Sequence, residues 1–123
     1  MSFFKMVEVV SYPVENWEQA KKFYGEVLDW PVAWASDEMG WVEYGLENET
    51  HISISRWEGP GPLPAGTGPI AVFSVDDARA VTGKLLARGV RCGEPVEVPG
   101  VVVYGTFYDP EGNRFQFVSS AAK

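Results

Sequence analysis

The sequence predicts an α+β fold built from two pseudo-repeated βαβββ modules. Segments with the period-two alternation of strands flank one helical segment in each half of the chain. A Gly/Pro-rich linker at 58–69 separates the halves. When the halves are overlaid, Val14 pairs with Val75 and Ser53 pairs with Gln116 at nearly equal separations. This agreement indicates an internal duplication within a single domain spanning 1–123.

The first module, about 1–57, contains one strand, one helix and three further strands. Asn16 is a good N-cap with Gln19 three residues later, and Pro31 forbids continuation of the helix. We assign Trp17 and Trp30, at the helix and its exit, to packing. The predicted strands are Lys5–Val14, Pro31–Ser36, Trp41–Leu46 and Thr50–Ser55.

The second module, about 70–123, repeats this order. Asp77 is the predicted N-cap of the second helix, and Gly89 is its C-terminal glycine. The segment from Asp109 to Asn113 has the composition of a turn. The helix presents an apolar face of Ala78, Val81, Leu85 and Leu86, and the predicted strands are Ile70–Val75, Val90–Val96, Val101–Tyr108 and Arg114–Val118.

Composition excludes several classes of function. The net charge is −7, with 10 Lys and Arg against 17 Asp and Glu, so a surface that tracks nucleic-acid phosphates is disfavoured. No apolar run is long enough to span a membrane. The single cysteine, Cys92, cannot form an internal disulfide, and we therefore expect a reduced, cytoplasmic protein.

Two motifs resemble the vicinal oxygen chelate superfamily, which includes glyoxalases, bleomycin-resistance proteins and extradiol dioxygenases. The first is Val10-Ser11-Tyr12-Pro13-Val14-Glu15-Asn16, followed by Ala20 and Phe23-Tyr24. The second is Phe107-Tyr108-Asp109-Pro110-Glu111-Gly112-Asn113, followed by Phe115-Gln116-Phe117. With the repeat, the resemblance covers essentially the whole chain. It implies a glyoxalase-like cup of curved sheets and favours a homodimer.

The resemblance also implies four strand positions that hold His, Glu or Gln ligands in metal-using members. Spacing from the motifs places these positions at Val9, Ser53, Ile70 and Gln116. Two are hydrocarbons and serine is a weak neutral ligand, so we expect no metal and no other cofactor. A slip by one residue would bring Glu8 inward, but it would also move every neighbour to the other face of the strand.

Enzymatic alternatives remain open at this point. The only histidine, His51, excludes a two-histidine iron triad and so disfavours ring-cleaving dioxygenase chemistry. A glyoxalase-type lyase or isomerase site from His51, Glu8, Glu43 and Gln116 has suitable atoms but needs an unusual register. A metal-free enzyme could instead use His51 as a catalytic acid or base.

The leading hypothesis is a metal-free protein that binds a small organic ligand in the sheet cup. Strand alternation places short polar groups and aromatic rings on the concave faces, a mixture that suits such a pocket. The predicted ligand-binding residues are Ser11, Trp34, Trp41, Tyr44, Ser53, Tyr104, Arg114 and Gln116.

Overall fold

Each half of the chain folds around its own β-sheet. The computed structural model describes residues 7–64, which belong to one compact unit (unit one), and residues 68–121, which belong to a second (unit two). The boundary between the units lies within the predicted linker 58–69. The predicted α+β class is confirmed, with two sheets and few helices. The predicted start of the first strand, at Lys5 and Met6, lies outside the described residues.

Unit one has the predicted order of elements. Asn16 caps the first helix as expected, because its Oδ1 accepts a hydrogen bond from the Gln19 backbone N–H at 3.1 Å. The elements are β1 (Val9–Val14), α1 (Trp17–Lys22), a π-helical segment (Phe23–Val27), β2 (Val32–Ser36), β3 (Trp41–Tyr44) and β4 (His51–Arg56).

The sheet of unit one has the strand order β1-β4-β3-β2, with β1 and β4 parallel and the other pairs antiparallel. One side carries buried apolar residues and faces the helical segment, since the Tyr24 ring lies 5.7 Å from the Tyr44 ring. Trp30 packs 5.6 Å from Tyr24, and Trp17 is buried, as predicted for both. Burial of each large apolar side chain here contributes about 1.5–3 kcal/mol. The buried strand residues are Tyr12, Val14, Val42, Tyr44, Ile52 and Ile54.

Unit two repeats the parallel pairing of its first and last strands. Its elements are β5 (Ala71–Ser74), α2 (Ala78–Ala87), β6 (Arg91–Cys92), β7 (Val96–Val98), β8 (Val102–Tyr108) and β9 (Arg114–Ser120). The strand order is β5-β9-β8-β6, with β7 also pairing with β8. Asp77 caps α2 as predicted, with its Oδ1 accepting from the Ala80 N–H at 3.1 Å.

Close packing of α2 against β8 explains a glycine in the middle of that strand. A Cβ atom added at Gly105 would lie 2.4 Å from Phe117 Cζ and 3.0 Å from Thr82 Oγ1. Thr82 is buried on α2, and its hydroxyl donates to the Ala78 carbonyl. Only glycine therefore fits between the strand, the helix and the Phe117 ring. The rings of Phe107 and Phe115 stack 5.0 Å apart on the same side of this sheet.

Two expectations for unit two were wrong in detail. The predicted strand Val90–Val96 is two short strands, because Gly93 and Pro95 fall between β6 and β7, and proline has no N–H to donate to the sheet. Leu86, which we expected on the apolar face of α2, is 55% exposed. The predicted turn from Asp109 to Asn113 is confirmed, with Asp109 Oδ1 accepting from the Asn113 N–H at 2.8 Å.

Candidate functional site

Most of the predicted site residues of unit one lie on the side of its sheet opposite the helix. The strand register pairs Ser53 with Ser11 on β1 and with Glu43 on β3, and directly paired residues project to the same side. Glu43 in turn pairs with Trp34, and Trp41 pairs with Ser55. We call this side the serine face; its members are Ser11, Trp34, Trp41, Glu43, His51, Ser53 and Ser55.

Ser53 occupies the centre of the serine face with an unsatisfied hydroxyl. Its side chain is fully buried, and within 7–64 and 68–121 its Oγ is the buried side-chain polar atom that has no hydrogen-bond partner. The neighbouring hydroxyls of Ser11 and Ser55 lie 3.5 Å from each other. A buried polar group without a partner costs about 1–3 kcal/mol, so this hydroxyl is a feature that folding alone does not favour.

A chain of hydrogen bonds crosses the serine face beside Ser53. His51 Nδ1 lies 2.8 Å from Glu43 Oε1, and His51 Nε2 lies 2.9 Å from the Leu46 carbonyl oxygen. The Trp41 indole N–H donates to the other carboxylate oxygen, Glu43 Oε2, at 2.9 Å. Both oxygens of Glu43 and both ring nitrogens of His51 are therefore engaged within unit one.

The partners of His51 determine its protonation. A carboxylate and a carbonyl only accept hydrogen bonds, so the ring satisfies both when both nitrogens carry protons. The hydrogen bond to Glu43, then that to the Leu46 carbonyl, raises the pKa of His51 above its usual 6.5. The bonds from His51 and then Trp41 lower the pKa of Glu43 below its usual 4.5. When both ring nitrogens are protonated, His51 has no lone pair for a metal or a substrate proton.

The absence of a side chain at Gly45 leaves room for the His51 ring. The φ of Gly45 is 144°, and a Cβ added there would lie 2.5 Å from His51 Cδ2. The imidazole consequently lies against bare backbone just before Leu46, whose carbonyl it contacts. The predicted strand Trp41–Leu46 ends early, at Tyr44, directly before this glycine, whose positive φ departs from strand geometry.

Tyr44 does not share the serine face with the other predicted ligand-binding residues of unit one. Its side chain is 3% exposed and projects to the helix side, where it contacts Tyr24 and Trp30. Burial raises the pKa of its phenol to about 12. The prediction placed both rings of β3 in the cup. Trp41 and Tyr44 are an odd number of positions apart, so their side chains project to opposite sides of the sheet.

In unit two, the predicted site residues Tyr104, Arg114 and Gln116 share the side of the sheet opposite its Phe-rich core. Gln116 pairs with Thr106 across the strands, and its Nε2 lies 3.4 Å from the Thr106 hydroxyl. Arg114 pairs with Tyr108, whose ring lies 4.1 Å from the Arg91 guanidinium. The predicted site residues therefore form one group within each unit, apart from Tyr44.

Unit two also has a surface cavity of about 440 Å³ near the start of α2. Its lining is mostly polar and includes Asp76, Asp77, Arg79 and Glu97. Arg79 and Glu97 are paired at 3.2 Å, and both side chains are about half exposed. No predicted site residue contributes to this lining, which therefore differs in position and in chemistry from the face that carries Gln116.

Comparison with known proteins agrees with the fold. Residues 6–117 match the Glyoxalase/Bleomycin resistance protein/Dioxygenase superfamily. The chain belongs to this superfamily. The resemblance inferred from its two terminal motifs is thereby confirmed, and no curated protein sequence matches the chain.

Solved structures share the architecture at low sequence identity. TnmS3, an antibiotic binding protein from Streptomyces sp. CB03234, is 23% identical with a TM-score of 0.79, covering 98% of this chain and 100% of its own. A superfamily member from Sphaerobacter thermophilus DSM 20745 is 23% identical with a TM-score of 0.80, covering 97% and 100%. A glyoxalase family protein from Bacillus anthracis is 19% identical with a TM-score of 0.76, covering 98% of each chain.

The residues that spacing assigns to the superfamily's metal positions do not fit a divalent ion. The strand register of unit one pairs Val9 with His51 and Ser11 with Ser53, so Val9 and Ser53 project to the same side of the sheet, as the positions inferred from spacing require. Glu8 precedes β1, and its charge acts on His51. Val9 and Ile70 have no donor atom. Across the described residues, no three His, Cys, Asp or Glu side chains cluster in a way that could hold an ion. In the alternative ligand set of His51, Glu8, Glu43 and Gln116, the side chains of His51 and Glu43 are already bonded to each other.

Cys92 and the helices bear on two other possible features, a reactive thiol and a membrane span. Cys92 is partly buried, and burial raises the pKa of its thiol, which disfavours the reactive thiolate. In the part of the chain that the structure describes, no helix is long and apolar enough to cross a membrane. Neither observation adds a group to the serine face.

Proposed function

We propose that this protein is a metal-free binding protein for a small organic molecule, held on the serine face. The observation that carries the proposal is the fully buried Ser53 hydroxyl, which has no hydrogen-bond partner in the described part of the chain. A ligand that displaces the side chains covering this oxygen and offers it a hydrogen bond would remove the cost of leaving it unsatisfied. Binding sites for small molecules combine apolar surface with a few such polar groups.

The tryptophans of the serine face support an aromatic ligand. Trp34 is 47% exposed, and Trp41 is partly exposed on the neighbouring strand. Exposed indole rings provide large flat surfaces on which planar molecules stack. TnmS3, which shares this fold, is described as an antibiotic binding protein. Ligand binding by a protein of this fold is consistent with the proposal. The class of ligand proposed for the present protein is inferred from the residues of the serine face.

The hydrogen bonds of His51 favour binding over acid–base catalysis. A general base needs a lone pair that reaches the substrate, and both nitrogens of His51 already face acceptors in the protein. The metal-dependent lyase alternative loses support for a related reason, because Val9 and Ile70 replace ligands and Glu43 is bonded to His51 and Trp41. The metal-free character of the site is thus part of the proposal.

Ser53→Ala tests the proposal because it separates ligand binding from stability. The substitution should leave the protein at least as stable, since it removes an unsatisfied hydroxyl, yet weaken a bound ligand by about 5- to 10-fold. Binding would be measured by calorimetry with planar aromatic alcohols and carboxylates, together with thermal unfolding and metal analysis of the purified protein.

Ser119→Ala is the matched control for this test. Ser119 is also buried, but its Oγ accepts a hydrogen bond from the Ala78 N–H at 2.9 Å. This variant should unfold more easily and bind with unchanged affinity when studied below its melting temperature. Equal affinity of Ser53→Ala and the parent for every ligand found, or one tightly bound metal per chain, would contradict the proposal.

The oligomeric state and the compartment remain predictions. We propose a homodimer, as the superfamily resemblance favours, and a cytoplasmic location, as the single Cys92 favours. Light scattering during size-exclusion chromatography would give the mass in solution directly. A mass of one chain, 13.6 kDa, at micromolar concentration would contradict the dimer.

A further inference from the structure

The bonds of Glu43 indicate a role that neither the sequence motifs nor the superfamily comparison assigns. Its carboxylate joins two side chains on the serine face, the His51 ring on one oxygen and the Trp41 indole N–H on the other. The His51 ring is itself fixed by the Leu46 carbonyl and by the bare backbone of Gly45. The indole orientation is therefore linked to backbone at Leu46 through two intermediate side chains.

We propose that Glu43 and His51 are positioning residues that hold Trp41 as a preorganised stacking platform, and that this platform selects neutral or anionic planar ligands over cationic ones. The inference rests on the proposed function of the serine face. A ring already fixed in its bound orientation loses less conformational freedom when a ligand stacks on it, so affinity rises without a new contact.

The selection by charge follows from the same bonds. Glu43 is the only acidic residue in strands β1–β4, the ranges from which the serine face is built. Its charge is compensated by His51 at 2.8 Å, and both side chains are largely buried, at 17% and 22% exposure. A cationic ligand on this face would meet a Glu43 carboxylate whose two oxygens are already engaged by His51 and Trp41, so this carboxylate is not free to pair with it. The other carboxylate that acts on His51 is that of Glu8, just before β1.

The indole N–H resonances in a proton–nitrogen NMR spectrum test the positioning role without any ligand. Trp41 is assigned by its absence in Trp41→Phe. Glu43→Ala should shift and broaden the Trp41 indole signal, because its acceptor is gone. Glu43→Gln should keep the signal near its original position, because the amide oxygen still accepts from the indole and the amide N–H can donate to a neutral His51.

Asp37→Ala is the matched control, since Asp37 Oδ1 accepts from the Trp17 indole N–H at 2.9 Å, away from the serine face. It should move the Trp17 signal and leave Trp41 and ligand affinity unchanged. An unchanged Trp41 signal in Glu43→Ala would overturn the positioning role, whatever the ligand result. Thermal melts of each variant establish that it is folded at the temperature of the spectra.

Three matched probes test the ligand class by calorimetry: 2-naphthalenemethanol, 2-naphthoate and 2-naphthylmethyl-trimethylammonium. The first two should bind at least 10-fold more tightly than the third. Glu43→Ala should weaken both by about 3- to 10-fold, Glu43→Gln should restore most of this loss, and Glu43→Ala should have no further effect in a Trp41→Phe background.

The outcomes of the probe experiment are distinguishable. Tightest binding by the cationic probe would overturn the inferred selectivity while leaving the serine face as the site. Failure of all three probes to bind the parent protein would contradict the proposed function and the ligand class together. Additive losses in Glu43→Ala and Trp41→Phe would show that Glu43 acts on the ligand by itself and not through Trp41.

Discussion

The two sheets are built alike on their helix sides and differently on their other sides. In both, buried aromatic and branched residues pack toward a helix, with Tyr24 against Tyr44 in unit one and Phe107 against Phe115 in unit two. On the other sides, Ser53 is buried without a hydrogen-bond partner among the described residues, whereas Gln116, its predicted counterpart, contacts the Thr106 hydroxyl. The two sheets thus share a packing pattern on one side and differ in their polar groups on the other.

Phe115→Ala should have the largest effect, because it breaks the pattern that the two sheets share. Phe115 is fully buried, and its ring lies 5.0 Å from Phe107 and 6.3 Å from Phe73. Removal of the ring should lower the free energy of unfolding by about 3–5 kcal/mol. Denaturant titration followed by circular dichroism measures it, and a loss below 1 kcal/mol would show that this side of the sheet tolerates a cavity.

Gly45→Ala should have the next largest effect on stability. It tests whether the serine face depends on the space beside the His51 ring. The added methyl group would meet His51 Cδ2 at 2.5 Å, at a φ of 144° that side chains rarely adopt. We expect a loss of about 1–3 kcal/mol in the same denaturant assay, with the His51 ring displaced from the Leu46 carbonyl.

Gly83→Ala is the control for Gly45→Ala. Gly83 lies in α2, and a Cβ there would meet no atom within 4 Å. It should stabilise the protein by about 0.5–1 kcal/mol, because alanine favours helix more than glycine does. Equal effects of the two substitutions would mean that the space at Gly45 has no special role.

Ser119→Ala should cost about 1 kcal/mol, whereas Ser53→Ala should cost nothing or stabilise. Both hydroxyls are buried, but only that of Ser119 has a partner within the described residues. Thermal unfolding of the two variants under identical conditions compares them directly. A larger loss for Ser53→Ala would indicate that its hydroxyl is satisfied within the folded protein.

The smallest effect concerns the pH dependence of stability at the His51–Glu43 pair. The raised pKa of His51 contributes stability that is complete below its usual 6.5 and is lost as pH rises through the folded-state value. The lowered pKa of Glu43 contributes stability that is present above its usual 4.5 and is lost as pH falls through the folded-state value. The pair should stabilise most between about pH 4.5 and 6.5.

Melting temperatures of the parent and of Glu43→Gln across pH 4 to 9 would test this window. The difference between the two proteins should be largest inside it and should shrink above the His51 pKa. A difference that is constant with pH would mean that the two side chains do not form a charged pair in solution.

The sequence predicted the fold well because local signals and the duplication agree. The caps at Asn16 and Asp77, the turn at Asp109 and the alternation in β4 each depend on neighbouring residues. The sequence did not predict the break in Val90–Val96, because its valines favour a continuous strand while Gly93 and Pro95 interrupt the pairing. Each of these signals depends on only a few neighbouring residues. The similarity of the two halves then predicts the same order of elements in each.

The candidate site was predictable in its membership but not in its connections. Alternation placed Ser11, His51 and Ser53 on one face, whereas Tyr44 was predicted beside Trp41 although alternation puts these two rings on opposite sides. The role of Glu43 depends on the pairing of β3 with β4 and on rotamers that bring its two oxygens to His51 and Trp41. The sequence shows that Glu43 shares a strand with Trp41, but it predicts neither of the two hydrogen bonds of Glu43.

The most direct test of the central claim maps where a ligand binds through the five tryptophans. A saturating titration with 2-naphthalenemethanol, or with whichever probe binds most tightly by calorimetry, would be followed through the indole N–H resonances. We predict shifts of the Trp34 and Trp41 signals, while those of Trp17 and Trp30, which pack on the helix side, stay in place. Shifts confined to Trp17 and Trp30, or none in Trp34 and Trp41 at saturation, would contradict the serine face as the binding site.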